Sequence, residues 1–115
     1  MAHLTIRVDL GPEAAIGPGK IRLLELIEAK GSLRGAAAAM SMSYRRAWLL
    51  LRDIEAAVGA PVVAGRAGGA KGGGSALTPL GANLIRQYRA IERQAGRSAS
   101  AHLRELSRLC GRTAR

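Results

Sequence analysis

Glycine sets the punctuation of this chain. Residues 30–81 read KGSLRGAAAAMSMSYRRAWLLLRDIEAAVGAPVVAGRAGGAKGGGSALTPLG. Gly31 and Gly59 can each take the left-handed backbone that closes a helix. Residues 68–74 hold five glycines and cannot build a core. This stretch therefore reads as helix, tight turn, longer helix and glycine-rich hairpin, with a new helix starting at Thr78-Pro79, a capping residue followed by a proline at the first helical position.

The caps fix the helices between those marks. Ser32 caps a second helix over 33–40, Ser41-Met42 is a tight turn, and Ser43 caps a third helix running to Val58. Ala47, Leu50, Leu51, Ile54 and Val58 recur at spacings of three and four and point inward. Upstream, helix 1 over 19–30 carries Ile21, Leu23, Leu24, Leu26 and Ile27. That stripe is broad enough for two surfaces, so burial within one chain and contact with a second subunit both stay open. Residues 62–64 and 75–77 read as the strands of a glycine-tipped hairpin. Helix 4 follows over 79–94 with Leu80, Leu84, Ile85, Tyr88 and Ile91 on one face, and GRSAS at 96–100 breaks it. At the start, Leu4, Ile6, Val8 and Leu10 alternate with polar residues, as in a strand with one buried face; residues 13–19 are a connection. The predicted fold is mostly α with a small β part: a winged helix-turn-helix with helical dimerisation elements. It occupies residues 1–95 (helix-turn-helix 32–58, wing 61–77), and 96–115 form a basic tail or short helix.

The charge is unevenly spread. Residues 1–31 carry four bases and four acids, whereas residues 32–115 carry 14 bases and four acids, the whole of the net charge of +10. Arginine outnumbers lysine 15 to 3, and its planar fork suits bidentate contacts to phosphate and guanine. A solvated surface would account for some of this; the clustering around the third helix points to a polyanion. Cys110 is the sole cysteine, so neither an intrachain disulfide nor a cysteine cage for a metal is expected, which fits a reducing compartment. With no apolar run long enough for a membrane helix and no signal-peptide pattern, the expected location is cytoplasmic.

Ser43-Tyr44-Arg45-Arg46 opens the third helix, where unpaired N–H groups and the positive dipole end favour an anion. The second helix of a helix-turn-helix sends its first residues to base edges in the major groove, and Tyr44, Arg45 and Arg46 are placed for that. Trp48, one turn on, has two roles open: packing between helices, or touching the DNA backbone through its indole N–H. Arg66 and Lys71 sit in the wing, where glycine allows close approach to the sugar-phosphate chain. The run GGAKGGGS lacks the G-x-x-x-x-G-K-[ST] spacing of a phosphate-binding loop, because Lys71 is followed by glycine. His3 and His102 lie near opposite ends and no carboxylates pair in an evident pocket. No enzyme activity, metal or cofactor is expected.

Beyond these patterns, residues 19–88 resemble the N-terminal DNA-binding domain of the ModE-type molybdate-dependent transcriptional regulators, and more distantly that of the LysR-type regulators. The pieces that carry the resemblance are GKIRLLELIEAKGSLRGAAAAMSMSYRRAWLLL, APVV, the glycine wing and LTPLG; Ser43, Tyr44, Ala47 and Trp48 are its most specific residues. The resemblance implies homodimers built through helix 1 and helix 4, palindromic operators and a wing on the DNA backbone, with Tyr44, Arg45, Arg46, Arg66 and Lys71 as contacts. Two departures stand out. The chain leaves no room for a molybdate-binding region, so no molybdate site is expected, and the family's charged pair after the valine is here Ala64-Gly65. The expected function is a sequence-specific regulator of transcription that binds double-stranded DNA through Ser43, Tyr44, Arg45, Arg46, Trp48, Arg66 and Lys71. A nucleoid-type binder of low specificity and a protein-interaction adaptor are the alternatives.

Overall fold

The computed structural model describes residues 2–65 and 74–111. In chain order the elements are β1 (Val8–Gly11), β2 (Ala14–Ile16), α1 (Pro18–Lys30), α2 (Leu33–Ala39), α3 (Tyr44–Val58), β3 (Val63–Gly65), β4 (Ser75–Leu77) and α4 (Pro79–Leu109). The fold is mostly α, with two separate two-stranded antiparallel sheets, β1-β2 and β3-β4.

Helix α1 is the centre of the core. Pro18 starts it and Gly31, at φ 78, ends it with a backbone N–H bonded to the Ile27 carbonyl. Ile21, Leu23, Leu24, Leu26 and Ile27 are all buried, against Leu33, Ala36 and Ala37 of α2 and Ala47, Leu51 and Ile54 of α3. The broad stripe is thus spent within one chain. Small side chains on α2 let three helices meet closely; Phe is absent from the whole sequence, and Tyr88 is the one aromatic in the core.

The hairpin is fastened at its base. The Val62 N–H donates to Glu55 Oε2 (3.0 Å), tying the strand entry to α3. The Thr78 hydroxyl donates to the Pro61 carbonyl (2.9 Å) and accepts from the Gly81 N–H (3.1 Å), so one side chain caps α4 and closes the hairpin. Ser75 N–H reaches the Gly31 carbonyl (2.8 Å), which pins β4 to the end of α1. At α1–α4, Arg89 places two guanidinium N–H groups on the two oxygens of Glu25 (3.0 and 2.8 Å) and a third on Glu92 (2.6 Å). These bonds hold the Glu25 carboxyl below its ordinary range, against the opposing effect of burial.

Three expectations change. The strand over residues 4–10 shrinks to β1, and only Ile6 and Val8 pack on the core, while Leu4 and Leu10 are exposed. The leading segment is instead held by α4 side chains: Tyr88 Oη donates to the Ile6 carbonyl (2.5 Å), and Ala2 N–H donates to Ser107 Oγ (2.8 Å). The connection at 13–19 contains β2, turned back on β1 through Glu13 at φ 58. Helix α4 does not stop near residue 94; it runs unbroken to Leu109 through the GRSAS stretch. Gly96 meets nothing within 4 Å, and one interior glycine costs only about 1 kcal/mol of helix propensity, which a long run of Ala, Leu, Arg and Gln absorbs.

Candidate nucleic-acid interface

Two serine caps shape the α2–turn–α3 unit. Ser32 accepts from the Gly35 N–H (2.9 Å) and Ser43 from the Arg46 N–H (3.1 Å). Each cap of this kind is worth about 0.5–2 kcal/mol. Between the helices Ser41 takes a left-handed backbone at φ 55, and the Met42 N–H bonds to the Ala37 carbonyl (3.0 Å). The turn therefore swings α3 across α2 with its first residues outward.

The buried line of α3 is Ala47, Leu51 and Ile54. At 3.6 residues per turn, the opposite line is Arg45, Leu49 and Arg52, flanked by Tyr44 and Trp48 on one side and Arg46 on the other. Ser43, Tyr44, Arg45, Arg46 and Trp48 are all exposed, so the predicted helix residues come together on one surface. Arg66 and Lys71 of the predicted set lie outside the described residues.

Trp48 corrects one reading. It is 40% exposed and does not wedge between helices; the Arg52 guanidinium lies 5.2 Å from its ring centroid. A second such pair sits one turn earlier, where Arg34 of α2 lies 4.7 Å from the Tyr44 ring centroid. Leu49, 45% exposed, joins Ser43, Arg45, Arg46, Leu50 and Asp53 around a shallow hollow on the same face. Sequence reasoning missed Arg34, Leu49 and Arg52. The last two were within reach, one turn on from Arg45 and Trp48. Arg34 was not, because only the packing of α2 on α3 brings it to Tyr44.

The face carries more arginines than acids, Asp53 being the carboxylate at its hollow, and its arginines stand outside the ion pairs of the described residues. Among the described residues the ion pairs are Arg7–Asp9, Arg22–Glu25, Arg89 with Glu25 and Glu92, and Arg108–Glu105. Arg34, Arg45, Arg46 and Arg52 belong to none of them, and the first turns of α2 and α3 contain no acid. Such a surface retains its cations and helix-terminal N–H groups for an external anion. Among the described residues no cluster of three His, Cys, Asp or Glu side chains could hold a metal ion, and no helix is long and apolar enough to cross a membrane.

Helices α2 and α3 and the turn between them carry the basic face, and the β3-β4 hairpin follows them in the chain. No family profile matches the chain. It is 37% identical over 92 residues to the molybdenum transport protein ModE of Azotobacter vinelandii, a match covering 80% of this chain and 33% of that protein. It is 40% identical over 79 residues to the molybdenum-pterin-binding protein MopB of Rhodobacter capsulatus, covering 69% and 29% of the two chains. It is 32% identical over 91 residues to the transcriptional regulator ModE of Haemophilus influenzae, covering 79% and 36%. The homologues of this chain are thus ModE-like proteins, and the chain spans about a third of the length of the curated relatives it matches. None of these three names is that of an enzyme.

Proposed function

We propose that this chain is a winged helix-turn-helix that binds double-stranded DNA sequence-specifically and regulates transcription. The observation that carries the reading is the outward face of α3: unpaired arginines and exposed aromatics around a helix N-terminus, with no neighbouring carboxylate in the first turn. The relatives named as transcriptional regulators support it. In this reading α3 enters the major groove, Arg45 and Arg46 address base edges, and the wing with Arg66 and Lys71 lies along the backbone. Two copies act together on an inverted repeat. With the apolar stripe of α1 buried inside the chain, α4 and the β1-β2 hairpin supply most of the contact, around Leu10, Leu84 and Ile91, which border an apolar depression.

Sheared genomic DNA incubated with the purified protein at physiological salt, recovered and sequenced, tests this. A few strongly enriched sites sharing an inverted repeat are expected. Even recovery across the genome would make the protein a low-specificity binder, and no recovery would overturn the DNA reading.

A further inference from the structure

Arg34 belongs to α2, yet its guanidinium lies over a side chain of α3. The distance from Cζ to the Tyr44 ring centroid is 4.7 Å, close enough for the ring's electron-rich face to hold the cation. Arg34 is exposed and joins no ion pair among the described residues. An arginine resting on a ring keeps its in-plane N–H groups free, and these are the donors that fit a phosphate. A loose surface arginine loses rotamer freedom on binding, whereas one already seated loses less.

The Tyr44 side makes the same point. Tyr44 is 45% exposed, and its hydroxyl makes no hydrogen bond among the described residues. What the chain uses is the ring face. With Arg34 over that ring, Tyr44 is committed to its neighbour and Arg45 beside it stays unencumbered.

On the DNA-binding reading above, we infer that Arg34 is a backbone-phosphate contact of α2 and that Tyr44 is its positioning residue rather than a reader of bases. The pair joins the two helices of the unit at the surface. It holds one cation at a set height beside α3, fixing how deeply the helix sits in the groove, while sequence choice falls to Arg45 and its neighbours. A contact of this kind adds affinity equally for every sequence and adds to the salt dependence, because each neutralised phosphate releases condensed counterions.

The test uses the full chain, a mixed-sequence DNA duplex titrated over a range of sodium chloride, and a randomised duplex library for base preference. Matching thermal melting curves establish that each variant is folded. Arg34→Gln should lower the slope of log affinity against log salt by about one and leave the selected sequence unchanged. Tyr44→Leu should reproduce that loss, Tyr44→Phe should behave as wild type, and Arg34→Gln combined with Tyr44→Leu should lose no more than either alone. An unchanged slope in Arg34→Gln overturns the inference. So does a shift of base preference in Tyr44→Phe, which would make the hydroxyl a reader. Failure of the wild-type chain to bind either duplex would instead remove the DNA reading itself, and the inference with it.

Discussion

At Gly81 a missing side chain decides how closely α4 meets the hairpin. A Cβ there would run into the Val62 carbonyl and Cβ, and that carbonyl already accepts the Thr78 N–H (2.9 Å). Gly81→Ala improves helix propensity yet should destabilise by about 1–3 kcal/mol, the usual cost of overpacking; a denaturant melt that shows stabilisation would refute the close approach. Arg45 lies at the other extreme, fully outward. Arg45→Ala should cost about 1–3 kcal/mol of discrimination at one base position, read as relaxed preference in competition binding, with little change in melting temperature. The caps Ser32, Ser43 and Thr78 were legible because a cap is a local event, a hydroxyl three residues from the N–H it accepts. The Arg34–Tyr44 contact was not, since it joins residues ten positions apart through a turn whose geometry depends on Ser41.

Among the elements, α4 departs furthest from expectation. Its 31 residues at 1.5 Å each give a rod of about 46 Å, most of a 56 Å long dimension. GRSAS looked like a break because glycine and serine favour turns; Gly96 is simply a tolerated helical glycine. Gly96→Ala should therefore stabilise by about 0.5–1 kcal/mol, where a true chain reversal there would make the same change destabilising. Thermal melting followed by helical circular dichroism separates the two. Strand β2 was hidden for a different reason. Its Ala-Ala-Ile sequence has no alternation to detect, and it exists because Glu13 turns it back onto β1 in the register Val8↔Ile16. Helix α1, opened by Pro18 and closed by Gly31, and helix α3, capped by Ser43 and closed by Gly59, were legible nearly to the residue.

Across the whole molecule, α1 and α4 are coupled through Arg89. Glu25 has its carboxyl held below the ordinary value of 4.5 by the Arg89 hydrogen bonds. A carboxylate depressed in the folded state stabilises the fold above its unfolded pKa and loses that contribution as pH falls through the folded one. Stability should thus drop as acid is added below about 4.5, and Glu25→Gln should be less stable at neutral pH with a flatter acid limb; identical acid limbs would remove Glu25 from the account. The exposed apolar edge at Ile91, 42% accessible, makes the matching prediction for assembly. Ile91→Asp should shift a dimer toward monomer in sedimentation while leaving the fold intact. By itself the sequence determined the order of the helices, the caps at Ser32, Ser43 and Thr78, the core lines of α1 and α3 and the basic opening of α3, because periodicity, capping and charge are short-range and sit in consecutive residues; on α4 only part of the expected face is buried, with Tyr88 in the core and Leu80 and Ile91 exposed. Only the tertiary structure decided which side of α1 was spent within the chain, how far α4 runs, that Trp48 faces solvent and that Arg34 rests on Tyr44. Those outcomes depend on which surfaces meet, and no window of neighbouring residues contains both surfaces.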